Sequence, residues 1–236
     1  MPETLAERLS HIQSRIADAC ARAHREAEEV TLVAVSKTFP LERIEAAREA
    51  GLAHFGENKV QELTAKSDAL PGTYQGGAVQ WHMIGHLQRN KAKEIVACTD
   101  LFHGLDSPRL ANELNKRAEQ IDRVMPCLVQ VNVSGEASKF GVAPDMLTPL
   151  LDAIAALPHL RIDGLMTLAA PSPDPERVRS QFALLRQLAE QHRRHASNID
   201  LQHLSMGMSG DFEVAIEEGA TLVRIGSALF GARDYS

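Results

Sequence analysis

Apolar stretches of strand length alternate with helix-periodic stretches from one end of the chain to the other, and this alternation limits the fold more than any other feature. Eight strand candidates stand out: Thr31–Ser36, Leu52–Phe55, Gln80–Gly85, Leu101–Leu105, Cys127–Val133, Ile162–Leu168, Leu201–Met206 and Leu222–Ile225. The helices between them have readable ends. Pro40 opens one that Gly51 closes, Ser107-Pro108 gives an N-cap followed by a first-turn proline, and Pro144-Asp145 and Pro175-Glu176 open two more. A further helix precedes the first strand, with Leu5, Leu9, Ile12, Ile16 and Ala23 on one stripe and a Thr4-x-x-Glu7 capping box at its start. The run Val124–Val133 is largely apolar, as parallel strands covered on both faces are. Eight strand–helix units with right-handed crossovers close into a barrel more naturally than they lie in an open sheet. A doubly wound sheet would place Gly-x-Gly-x-x-Gly after the first strand, and Val33–Thr38 contains no glycine. The expected fold is α/β: one (β/α)8 TIM-type barrel over residues 1–236, with an extra N-terminal helix in residues 1–29 packing on it.

A chain of 236 residues suits one such domain and needs neither disulfide nor metal to bury a core. A net charge of −6 without a basic cluster argues against a nucleic-acid partner. No apolar run reaches membrane-span length, and the N-terminus lacks a signal pattern. Cys20, Cys98 and Cys127 are odd in number and widely spaced, so a reducing cytoplasm is expected, with Cys20 on an apolar helix stripe and Cys127 in an apolar strand expected to be buried. Two segments, 71–77 and 171–175, are rich in proline and glycine or serine and mark surface loops.

Barrel chemistry gathers where strands end, and phosphate groups favour the loops after the seventh and eighth strands. The first strand ends at Lys37; the seventh leads into Ser205-Met206-Gly207-Met208-Ser209-Gly210-Asp211; the eighth ends in Arg224-Ile225-Gly226-Ser227. A lysine desolvated behind an apolar strand can act as a neutral amine toward an aldehyde. Most lysines simply face water, so position alone does not decide between the two readings. Hydroxyls and glycine-thinned backbone at two adjacent strand ends, next to that lysine in a closed barrel, make a more specific pattern.

Motifs across the chain extend that pattern: Val33–Lys37, Phe55–Glu62, Trp81–Lys91, Val131–Glu136, Gly164–Leu168, Leu204–Ser209 and Val223–Ser227. In these the chain resembles the pyridoxal phosphate homeostasis protein family, single-domain relatives of the barrel half of alanine racemase. The resemblance implies pyridoxal 5′-phosphate (PLP) held as an imine on Lys37. It implies phosphate contacts from Ser205, Ser209 and the Gly226-Ser227 turn, with Arg224 facing the pyridine nitrogen. Asn58 and His82 carry over from their motifs as further cofactor contacts, and Met206 as packing under the ring. The segment Phe102–Asp106 departs from the family, with Gly104 and Leu105 where serine and valine are expected.

An arginine at the pyridine nitrogen has its own consequence. Protonating that nitrogen would set two cations about 3 Å apart, at about 5 kcal/mol for an effective dielectric near 20, or about four pKa units. The ring then stays a weak electron sink, which suits carriage of the cofactor. The alternative is that Arg224 pairs with Glu217 or Glu218 and never meets a ligand. The expected role is a PLP-binding protein of intracellular PLP homeostasis and delivery, a monomer that meets PLP-dependent apo-enzymes transiently. The rival reading is a racemase-like enzyme on the same barrel. Racemisation needs an acid–base group on each face of the cofactor, and in the racemases that this barrel resembles the second is a tyrosine from another domain. The chain ends at Ser236, so no such domain is expected here, and Tyr74 and Tyr235 stand in a loop and at the terminus. A metal-dependent barrel hydrolase is the third reading; His82 and His86 straddle a strand end rather than sharing a helix face, so they need not converge on a metal.

Overall fold

The computed structural model describes residues 3–136, 139–172 and 174–231. Eight parallel strands form a closed barrel in sequence order: β1 (Thr31–Val35), β2 (His54–Glu57), β3 (Gln80–Met83), β4 (Leu101–Leu105), β5 (Met125–Gln130), β6 (Leu160–Met166), β7 (Ile199–Met208) and β8 (Leu222–Ile225). The ring closes where β8 pairs with β1, Val33 standing opposite Arg224 and Ala34 opposite Ile225. The helices are α1 (Leu5–Arg22), α2 (Leu41–Glu49), α3 (Val60–Ala69), α4 (Ala92–Cys98), α5 (Pro108–Glu119), α6 (Leu147–Ala155), α7 (Pro175–Gln191), α8 (Phe212–Glu217) and α9 (Ser227–Phe230). This is the (β/α)8 barrel with an additional N-terminal helix.

The helix ends follow their local chemistry. Thr4 and Glu7 form the capping box of α1, and the Ser107 hydroxyl accepts from the Leu110 N–H at the start of α5. The extra helix α1 lies against the short α8 and α9. Arg15 pairs with Glu213, and Arg8 Nε donates to the Leu229 carbonyl at 2.8 Å. All three cysteines are buried free thiols.

Only β4 and β8 have the bounds that the sequence pattern suggests; the other six strands start or stop one to three residues away, and β2 and β7 show why. β2 begins at His54 rather than Leu52, because Leu52 closes the preceding helix. Its N–H donates to the Ala47 carbonyl and that of Gly51 (φ +97°) to Arg48, the paired bonds of a Schellman motif, whose apolar residue is buried for that reason. β7 runs on to Met208 instead of ending at Met206. Between Ser205 and Met208 its register against β8 slips by one residue, and Gly207 (φ +90°) takes up the bulge.

The apolar interior is in two parts. A large core fills the space between barrel and helices. A small one, Val33, Leu128, Met166 and Leu222, fills the lumen, where polar residues also lie.

Candidate functional site

A cavity of about 460 Å³ opens at the C-terminal ends of the strands, within the range of small-molecule sites. Its wall brings together Lys37, Asn58, Ser209, Arg224, Gly226 and Ser227 from the ends of β1, β2, β7 and β8. Continuing the β1–β8 register puts Lys37 level with Ala228, one residue past Ser227.

Lys37 is held by a tight turn. Phe39 N–H closes onto the Ser36 carbonyl at 3.0 Å, and Thr38 sits at φ +67°. That left-handed conformation disfavours a β-branched residue by about 1–3 kcal/mol, so the surroundings must impose it. They do so from α3 and the end of β2. Glu62 accepts from the Thr38 N–H at 2.7 Å, and Lys66 donates to the Ser36 carbonyl at 2.9 Å. Lys66 also donates to buried Glu57 at 2.7 Å, and the Ser36 hydroxyl donates to the same Glu57 oxygen at 2.6 Å. Burial pushes the Glu57 carboxyl above the usual carboxylate range, against the pull of Lys66. Its other oxygen, Oε2, has no partner among the described residues.

On the facing side, Ser209 and Gly210 form the turn after β7. It is tied by Met208 N–H to Asp211 Oδ1 (2.6 Å) and by Asp211 N–H back to the Met208 carbonyl (3.1 Å). Gly226 joins β8 to α9, and a Cβ there would come within 3.3 Å of Val35, so backbone approaches the cavity wall where a side chain would be crowded.

Arg224 is 3% exposed, and the alternative pairing with Glu217 or Glu218 is not made. Glu217 is taken by Arg22 and Arg179, and Glu218 by Arg179 and Arg186. Arg224 Nη1 donates to the Ser205 hydroxyl at 2.5 Å and Nη2 to the Thr167 carbonyl at 2.8 Å. Burial lowers its pKa to about 10, with Asp211 pulling the other way, which leaves the guanidinium charged at neutral pH.

Three expected contacts lie outside the lining. Ser205 is fully buried in the lumen under Arg224, because the bulge turns Gly207–Ser209, not Ser205, toward the strand end. Met206, its neighbour on β7, faces the opposite way, into the core beneath the helices. His82 is in the lumen too, 3.0 Å from His54 and 2.9 Å from His103. Neither of its ring nitrogens points at the cavity, and His86 stacks instead on Phe140 at 3.9 Å between centroids. Tyr235 and Pro173 lie outside the described residues.

The cavity is lined as well by Ile84, Gly85, His86, Gln130, Phe140, Leu168 and Met208. Ile84, Gly85 and His86 stand in a motif that marked them; Phe140, on the loop after β5, carried no signal. At Gly85 a Cβ would fall 2.2 Å from the Asn58 carbonyl, so only glycine fits there.

The family model for the alanine racemase N-terminal domain matches residues 8–234. A protein of Aquifex aeolicus (strain VF5) named pyridoxal phosphate homeostasis protein is 46% identical over 97% of this chain and 98% of its own. The chain belongs to that family. The protein of the same name from Escherichia coli (strain K12) is 42% identical, over 98% of each chain. Among solved structures, PipY of Synechococcus elongatus PCC7942, determined with PLP bound, superposes with a TM-score of 0.83 at 35% identity, covering 97% of this chain and all of that one. The alanine racemase of Corynebacterium glutamicum shares the fold (TM-score 0.70, 16% identity), and the match covers 62% of its length. No helix among the described residues is long and apolar enough to cross a membrane.

Proposed function

We propose that this chain binds pyridoxal 5′-phosphate in the cavity above Arg224 and serves in intracellular handling of the cofactor, without turning over amino acids. One juxtaposition carries the reading. Lys37, fixed by a strained turn, shares one cavity with the glycine- and serine-bearing ends of β7 and β8, and the floor of that cavity is a buried arginine with no carboxylate bound to it among the described residues. The donor set suits the ligand. Ser209, Gly210, Gly226 and Ser227 would hold the phosphate, Arg224 would donate to the ring nitrogen, and the Lys37 amine would meet the aldehyde. Asn58 Oδ1, buried in the wall without a partner among the described residues, is an acceptor left over for the ligand.

When bound, the cofactor supplies an aldehyde that condenses reversibly with an amine. The chain's part is to present that amine, to keep the cavity floor positive and to shelter the carbonyl. The Arg224 charge opposes protonation of the ring nitrogen, so the bound ring is a poor acceptor of electrons from an α-carbon. The same reading takes the protein to be a cytoplasmic monomer that meets apo-enzymes only transiently.

Reduction of PLP-loaded protein with borohydride, followed by peptide mapping, tests the site. The pyridoxyl label is expected on Lys37 and absent from Lys37→Ala; a label on Lys59, Lys91 or Lys139 instead refutes the assignment. Deuterium exchange at the α-carbon of alanine and a panel of other amino acids tests the role. Exchange at enzyme-like rates that vanishes in Lys37→Ala would make the protein a catalyst.

A further inference from the structure

Beneath the cavity, polar groups run in single file through the barrel lumen. His54 Nδ1 is 3.0 Å from His82 Nε2, His82 Nδ1 is 2.9 Å from His103 Nε2, and His103 Nδ1 is 2.9 Å from the Ser205 hydroxyl, which accepts from Arg224. His82, His103 and Ser205 are at most 1% exposed, beside the lumen cluster Val33, Leu128, Met166 and Leu222. The far end, His54, borders a second cavity at the N-terminal ends of the strands, with Gln13 and Glu28. Apolar side chains would fill a lumen at less cost than these five polar ones, so the file calls for an explanation.

The hydrogen-bond inventory fixes its direction. The Ser205 hydroxyl already accepts from Arg224 and has one proton to give; His103 Nδ1 is its one other partner among the described residues. If His103 Nδ1 also carried a proton, the buried hydroxyl would be left undonated, at about 1–3 kcal/mol. Ser205 therefore donates to His103 Nδ1, which puts the His103 proton on Nε2, pointing at His82 Nδ1. By the same rule the His82 proton is on Nε2, pointing at His54 Nδ1. A doubly protonated ring in the file would set a second buried cation beside Arg224, which both desolvation and repulsion oppose.

We infer that Ser205 and His103 are positioning residues for Arg224, and that the chain Arg224–Ser205–His103–His82–His54 is polarised in one sense throughout, each group donating away from the cavity. Every dipole in that file turns its negative end toward the guanidinium. The chain thus solvates a buried cation without a bound carboxylate, and the full charge is left to act on what lies above it. A carboxylate in the same place would cancel that charge. Other ionisable groups near the file are Asp211 on the turn after β7, which acts on the guanidinium, His203 on β7, which acts on His82 and His103, and Lys37, which shares the cavity wall with Arg224. The effect on the cofactor rests on the function proposed above; the direction of the chain does not.

Two measurements separate the two. Ring ¹⁵N–¹H spectra of the ligand-free protein, assigned with His82→Gln and His103→Gln, should show both residues neutral, with the proton on Nε2, throughout pH 5–9. A proton on Nδ1 of either ring overturns the polarity. In PLP-loaded protein, Ser205→Ala and Ser205→Val should move the pH midpoint of the visible band upward by at least one unit, while Ser205→Thr, which keeps the hydroxyl, stays within a few tenths of wild type. Coincident midpoints in all four proteins overturn the positioning role. Wild-type protein that takes up no PLP sinks the proposed function, and the ¹⁵N spectra then decide the chain alone.

Discussion

At the scale of single residues the site depends on a turn that its own sequence disfavours. Thr38 is held at φ +67° by the carboxylate of Glu62, and Lys37 precedes it. Removing that acceptor leaves the turn free to relax toward the β region. Glu62→Ala is expected to lower stability by about 1 kcal/mol, a fall in melting temperature of roughly 2–4 °C. It should weaken PLP binding several-fold, because Lys37 is no longer aimed. Calorimetry and an absorbance titration check both, and unchanged affinity with a lowered melting point would show that the turn matters to the fold alone. Lys37 itself was legible, because a lysine directly after an apolar strand is a feature of sequence. Its supports were not, since Glu62 lies 24 residues from Thr38 and reaches it only once α3 has packed on the barrel against β2 and β3.

At the scale of elements, the strands and helices follow from periodicity and caps. The eight strands, the Ser107 cap and the capping box of α1 need only local sequence. What escapes a local reading is where a buried strand stops. Along β7 the run Leu204–Met208 is continuous in character, and only the pairing with β8 shows that Gly207 bulges, turning Ser205 into the lumen and Ser209 toward the cavity. Of the two serines that the sequence offered for the phosphate, Ser209 lines the cavity and Ser205 does not, so the proposed contact on this strand is Ser209 alone. A carboxylate introduced at Ser209 would stand beside the phosphate dianion, whereas Gly226 and Ser227 on the next strand would be unaltered. Ser209→Asp is expected to weaken PLP binding at least 100-fold, or about 3 kcal/mol, with little change in binding of pyridoxal, which has no phosphate. Equal losses for the two ligands, measured by fluorescence titration, would place the phosphate elsewhere.

At the scale of the whole molecule, the lumen sets how the barrel responds to acid. Its histidines could be listed from sequence, but not their convergence: partners in the chain are 21 to 102 residues apart, and only barrel closure brings them into line. In the fold, burial first and neighbouring positive charge second hold His82 down to about 3 and His103 well below its ordinary value. An unfolded histidine titrates near 6.5. Above that pH neither state is protonated at these rings, and their contribution to stability is fully present. As pH falls below 6.5 the unfolded chain takes up protons that the folded barrel refuses, and stability drops until the folded pKa is reached. At pH 5 the His82 ring then costs about 2 kcal/mol relative to pH 8, and His103 adds to the loss in the same direction. Unfolded-state carboxylates, with ordinary pKa values near 4, add little in this window. Urea denaturation at intervals from pH 8 to pH 5 should show this loss, and His82→Gln should remove about 2 kcal/mol of it whatever its own stability at pH 8. A stability that stayed flat over that range in wild type would mean that the lumen histidines accept protons in the folded barrel, and that the chain beneath Arg224 is not a file of neutral rings.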